Sequence, residues 1–171
     1  KSRLLHECMQ RAKNHGYQVF FSDARKTDGF TILREWICTC LAIPYATGAI
    51  SCSLDDVKAV IMKYNGSEAV GEAIYKFVFE KQSSEAILYE VQEALIYFTQ
   101  KPVGKQNLYL AFDNIQCLNT ETLNILYQLL YCQTIKNVNA LFAISVNTEV
   151  IPIENVVSIN DFMRKIKEFD E

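Results

Sequence analysis

Five consecutive apolar residues, Leu108 to Phe112, followed at once by Asp113, constrain this chain more than any other stretch. The run is too short to cross a membrane and too continuous for a strand with one wet face. It therefore predicts a strand buried on both faces, as in a parallel sheet. Asp113 then stands where the strand leaves the sheet, the edge at which open α/β sheets bind their ligands. Asn114 to Thr120 carry turn and capping chemistry, and Leu123, Leu126, Leu129 and Leu130 mark an amphipathic helix beyond them. A carboxylate at such a strand end either holds Mg²⁺, directly or through water, or closes a loop.

The same pattern recurs at Ala140 to Val146, which reads as a second doubly buried strand ending in Asn147, Thr148 and Glu149. Two such strands separated by one helix predict a right-handed βαβ crossover. A third β-rich run, Tyr17 to Phe21, follows a helix with Leu4, Leu5, Cys8, Met9 and Ala12 on one face and Gly16 as its stop. Ser22 to Gly29 reads as a polar loop. Ile32, Leu33, Trp36, Ile37, Cys40 and Leu41 then form a helical stripe closed by Pro44, and a small-residue connection runs from Tyr45 to Ser53. From Leu54 to Gln100 the chain reads as three helices broken at Asn65-Gly66 and at Lys81 to Ser84, the first started by Ser53 with acids in its first turn. Lys101 to Lys105 returns the chain to the central strand. Asn155 to Ile159 predicts one more short strand, and Asp161 to Phe169 a last helix with Phe162, Ile166 and Phe169 inward. The expectation is one α/β domain spanning 1–171, with its helices inserted before the central strand.

The chain has 171 residues, half of them apolar, enough for one sizeable core. Its net charge of −3 carries no basic run, which argues against a nucleic-acid surface. No apolar run is long enough to cross a bilayer and no signal peptide opens the chain, so a cytoplasmic protein without a membrane partner is expected. Six cysteines do not make a framework: Cys8, Cys38, Cys40 and Cys132 fall on or beside apolar helix faces, as small hydrophobes do. The C-x-C spacing at Cys38 and Cys40, with only His6 and His15 to add, matches no common zinc pattern, and the thiols read as reduced and intracellular.

Lys1 and Ser2 open the first helix, as the last two residues of the phosphate-binding motif G-x-x-x-x-G-K-[ST] open theirs. Taken with Gly16 to Phe21, Leu108 to Gln116 and Leu141 to Ser145, this order resembles P-loop ATPases of the STAND/AAA+ kind. More narrowly, it is similar over nearly the whole chain to the ATPase domain of the soluble adenylyl cyclase (adenylate cyclase type 10) group. The resemblance implies a P-loop NTPase fold, a three-layer α/β/α arrangement with a mostly parallel sheet and a helical insertion, that binds ATP and Mg²⁺. By it, Lys1 contacts the β- and γ-phosphates, Ser2 and Asp113 hold the metal, and Asn147 is a polar sensor near the γ-phosphate. The first strand and glycine loop of such domains do not occur in residues 1–171, so this segment alone is expected to bind nucleotide poorly.

Four positions depart from the family pattern. Asn114 stands where a second acid is usual; its amide orients a water but does not accept the proton as a carboxylate does. Gln116 and Cys117 replace a His-Trp pair, and Asn119 replaces a further acid. The expected function is therefore an ATP-binding regulatory module of a larger soluble protein, acting on other domains of its own chain, with weak or absent hydrolysis. The paired acids of a cyclase core are not identifiable here, so any cyclic AMP synthesis belongs elsewhere in the parent chain. The alternatives are a degenerate P-loop scaffold for protein interactions without nucleotide and a DNA-associated AAA+ ATPase, against which the acidic balance counts.

Overall fold

The computed structural model describes residues 2–43, 52–63, 66–100, 107–136 and 140–168. Lys1, Pro44, most of the small-residue connection beyond it, Asn65, the turn at Lys101 to Lys105 and Phe169 lie outside these residues. The chain divides into two compact units, Lys1–Leu33 with Thr99–Glu171, and Arg34–Phe98.

The first unit is built on a parallel sheet of three strands, β1 (Gln18–Asp23), β2 (Leu108–Asp113) and β3 (Ala140–Ile144), in that spatial order. β2 is the central strand and is buried at every position, as its unbroken apolar run predicts. Helix α1 (Ser2–Asn14) lays Leu5 and Ala12, two turns apart, on Tyr109 and Ala111 of β2, with Val19 and Phe21 of β1 alongside. Leu4 is not part of that face and is 65% exposed. Gly16, at φ +79°, ends the helix: its N–H donates to the Lys13 carbonyl at 3.0 Å, and Tyr17 N–H donates to the Ala12 carbonyl at 3.0 Å. This closing motif places a left-handed residue where glycine carries no Cβ penalty and turns the chain directly into β1.

Three expectations are corrected here. β1 runs on through Ser22 and Asp23, which the polar composition assigned to a loop, because both pair in register with Phe112 and Asp113 and are buried. β3 is not doubly buried: Leu141 is 51% exposed and Phe142 to Ile144 are half-buried, because an apolar run permits burial on both faces but a covering element has to supply it. Asn155 to Ile159 is not a strand. A short 3₁₀ turn at Ile153–Asn155 leads into helix α7 (Val156–Lys167), which buries Ile159 and Phe162 while leaving Val157 79% exposed. That spacing of three is helical, and it overrides the β-branched composition of the segment.

Between the strands lie α2 (Gly29–Leu41), α3 (Leu54–Lys63), α4 (Glu68–Val78), α5 (Glu85–Gln100) and α6 (Thr120–Lys136). α2 starts where Asp28 Oδ1 accepts Thr31 N–H at 2.9 Å, and its whole predicted stripe is buried. It ends before Pro44, on Ala42 at φ 53°, with Ile43 N–H donating to the Cys38 carbonyl at 2.9 Å. In the second unit Ser53 and Asp56 cap α3 reciprocally, the serine N–H on the carboxylate at 2.9 Å and the Asp56 N–H on the hydroxyl at 3.2 Å. Arg34, 6% exposed, donates through Nε to the Phe77 carbonyl at 2.8 Å, satisfying one of the orphan carbonyls in the last turn of α4. Burial pushes the Cys38 and Cys40 thiols up to about 12, as expected of cysteines that serve as core hydrophobes. Among the described residues, no helix is long and apolar enough to cross a membrane.

Gly29 brings the start of α2 against the start of α6: a Cβ there would overlap Thr122 Oγ1 and stand 2.9 Å from Thr122 Cβ. Gly29→Ala is therefore expected to lower stability by about 1–3 kcal/mol, the usual range for overpacking, in urea unfolding followed by circular dichroism. Ala42→Gly should act oppositely. It relieves roughly 1–2 kcal/mol of left-handed strain against about 0.4–1 kcal/mol of added unfolded-state entropy, so its unfolding midpoint is expected to rise.

Candidate functional site

The three strands deliver their polar ends to one edge of the sheet. Asp23 and Asp113 are direct register partners on neighbouring parallel strands. Ser145, one residue past β3, keeps the ladder going by donating its N–H to the Phe112 carbonyl at 2.9 Å and accepting Ile115 N–H at 3.1 Å. Two adjacent carboxylates repel unless each is given its own partners. Arg25 supplies them for Asp23: Nε donates to Oδ1 at 3.2 Å, Nη2 to Oδ2 at 2.9 Å, and the Arg25 backbone N–H to Oδ1 at 3.1 Å. Asp113 Oδ1 instead accepts the Ser145 hydroxyl.

Asn114 joins the two acids. It adopts the left-handed conformation, φ 59° and ψ 43°, which asparagine tolerates better than most residues, and this turns the chain sharply out of β2. In that position its N–H donates to Ser145 Oγ at 3.2 Å and its Nδ2 to Asp23 Oδ1 at 3.0 Å. Gln116, 2% exposed, extends the chain of bonds: Nε2 approaches Asn114 Oδ1 at 3.5 Å, and Oε1 accepts Asn147 N–H at 3.0 Å. Asn147 Oδ1 accepts Glu149 N–H at 3.1 Å, and Asn155 Nδ2 donates to the Gln116 carbonyl at 3.0 Å. A continuous polar relay thus runs from Arg25, past the end of β1, to Asn147, past the end of β3.

Ser2, Asp113, Asn114 and Asn147, four of the five site residues expected from sequence, line one cavity of about 310 Å³. Lys1, the fifth, lies outside the described residues. Arg25, Ser145 and Glu149 complete the lining. Asn119, at a position where the resembled family carries an acid, caps α6 by accepting Thr122 N–H at 3.1 Å, so its role here is structural. Asp23, Arg25, Gln116 and Ser145 had no place in the sequence-based site. The signal for Asp23 was present, since a β-rich run followed by an acid is what marked Asp113, but the intervening Ser22 hid it.

The hydrogen bonds from Arg25 hold the Asp23 carboxyl well below the usual carboxylate range, against the opposing effect of burial, and Asn114 adds to the depression. The same pairing pushes the Arg25 guanidinium up. Burial raises the nearby Cys117 thiol, with Arg25 pulling the other way.

The donors suit a hard cation in part. Asp113 is 2% exposed, and among the described residues the ion pair at this edge is made by Asp23, with Arg25 acting on Asp113 only at longer range. Among the described residues no three His, Cys, Asp or Glu side chains gather as a metal cage. Mg²⁺ does not require one, because it keeps several waters and is held by one or two carboxylates together with phosphate oxygens.

A group whose pKa is depressed on folding stabilises the folded state above its unfolded value, about 3.9 for aspartate, and loses that contribution as pH falls towards the folded value. Asp23→Asn is therefore expected to be less stable than the wild type at neutral pH. The difference should shrink as pH is lowered below about 4, read from urea unfolding across a pH series.

Comparison with known proteins finds no matching family model, no matching curated protein and no matching solved structure.

Proposed function

We propose that this chain is a regulatory nucleotide-binding module of the P-loop kind, which takes up ATP with Mg²⁺ and serves a larger multidomain protein. The observation that carries this is the convergence of Ser2, at the start of α1, and Asp113, at the end of the central parallel strand, on one cavity. The positive end of a helix and its N–H groups favour phosphate, the serine hydroxyl and the aspartate are oxygen ligands of the kind Mg²⁺ takes, and Lys1 adjoins them in sequence. Parallel pairing supports the same reading, since the carboxyl ends of such strands are where α/β sheets bind ligands.

Binding without rapid turnover is the form this takes. The amide of Asn114 is committed to Asp23 and cannot take a proton from water as a carboxylate does. In such a module, nucleotide acts through its differential affinity for two states of the parent chain. The order of elements is similar to that of the soluble adenylyl cyclase ATPase region, and any cyclase chemistry lies outside this segment. A scaffold without nucleotide is the second reading, favoured by the exposed apolar residues Val150, Ile153 and Val157, which are 66%, 91% and 79% exposed.

Isothermal titration of the full-length protein with ATP tests the two. Saturable binding that requires Mg²⁺ is expected, weakened about 10-fold or more in Lys1→Ala, the scale of losing one charge-assisted contact. Asp113→Asn should weaken Mg²⁺-dependent ATP binding and raise the Mg²⁺ concentration it needs. Absence of saturable binding in the wild type would sink the proposal in favour of the scaffold.

A further inference from the structure

The cavity poses an electrostatic problem for a polyphosphate. Two of its lining residues, Asp113 and Glu149, are acids, and Arg25 is the one cation among the described residues that line it. Mg²⁺ at Asp113 would offset part of that charge, which leaves the role of Arg25 to be assigned.

Arg25 neutralises Asp23 with only one edge of its guanidinium. Asp23 is 7% exposed and already accepts the Arg25 backbone N–H and Asn114 Nδ2. The guanidinium then grips it through the Nε and Nη2 edge, at 3.2 and 2.9 Å, while the arginine side chain stays 58% exposed. A guanidinium bound along that edge keeps its Nη1–Nη2 edge for a second oxyanion, in the planar, two-bond geometry that suits phosphate. Its orientation is fixed before any ligand arrives, because the buried carboxylate beneath it is itself fixed by Asn114, so little side-chain entropy remains to be lost.

We propose that Arg25 reads the phosphate chain of the bound nucleotide and discriminates triphosphate from diphosphate, with Asp23 as its positioning residue. This rests on the nucleotide reading of the cavity. ATP and ADP differ by about one charge, and Arg25 offers a positively charged group to a cavity whose other described lining residues are acids and neutral groups. Asp23 acts through Arg25 and does not itself touch the ligand.

The test is a titration of the full-length protein with fluorescent ATP and ADP analogues in Mg²⁺. The wild type is expected to prefer ATP. Arg25→Gln should weaken ATP binding by about 10- to 100-fold, the scale of a charge-assisted hydrogen-bond pair, and ADP binding by no more than about 2-fold. Arg25→Lys should fall between, since it keeps the charge without the fork. Asp23→Asn should reduce ATP preference by less than Arg25→Gln, because it leaves the guanidinium charged but loose. Should the variants fail to fold by circular dichroism, the Arg25 Nε–Hε resonance of the wild-type protein serves instead. It is expected to shift on adding Mg²⁺-ATP and much less on adding Mg²⁺-ADP. An unchanged ATP-to-ADP ratio in folded Arg25→Gln, or equal shifts with the two nucleotides, would overturn the role of Arg25 while leaving nucleotide binding intact. A wild type that binds neither nucleotide would overturn both.

Discussion

The register of β1 on β2 is the constraint from which the site follows. Parallel pairing of Asp23 with Asp113 puts two carboxylates side by side on neighbouring strands at the end of a sheet whose central strand is wholly buried. In that setting one acid would be expected to titrate upward or one strand to slip. The register holds, and the two acids are given different partners: Asp23 receives a guanidinium, a backbone N–H and an amide, and Asp113 receives the Ser145 hydroxyl. The asymmetry separates their roles. Asp23 becomes a fixed anchor whose carboxyl is held well below the usual range, and Asp113 has no ion pair among the described residues.

Asn114 and Gln116 each have a task that an amide performs and a carboxylate does not, and Asn119 has one at a helix start. Asn114 in place of an acid supplies the donor that a carboxylate lacks, and its left-handed backbone is what lets Nδ2 reach across to Asp23. A carboxylate at the same place would face Asp23 with no proton to share. Gln116 both donates and accepts, so it bridges Asn114 to the Asn147 backbone, a task that needs the two faces of an amide. Asn119 holds the first turn of α6. Asn114 and Gln116 are thus members of one hydrogen-bonded relay, which leaves buried polar groups satisfied at the sheet edge, and Asn119 stands outside it.

Much of the architecture was legible wherever a local rule had no competitor. The apolar run of β2 had to be buried on both faces, Gly16 had to end α1, and Ser53 with Asp56 had to start α3; each depends on residues adjacent in sequence. Legibility failed where pairing or packing at long range decided the outcome. Ser22 and Asp23 are strand residues only because Phe112 and Asp113 lie beside them. Val156 to Ile159 has the composition of a strand, yet Ile159 and Phe162 find burial at helical spacing. Leu141 belongs to an apolar run as continuous as that of β2, yet it is 51% exposed, since what covers a sheet face is decided by packing and not by the run itself.

The linear chain by itself determined that a parallel α/β sheet forms, that its central strand ends on Asp113, and which turn and cap residues punctuate the helices. It did so because side-chain periodicity and backbone preference act over a few residues. Only the tertiary structure decided that Asp23, 90 positions before Asp113, shares its edge, that Arg25 is held there, and that Asn114 and Gln116 link the strand ends. Those relations are distances through space between groups far apart along the chain, set by strand order and register, and no local pattern encodes them.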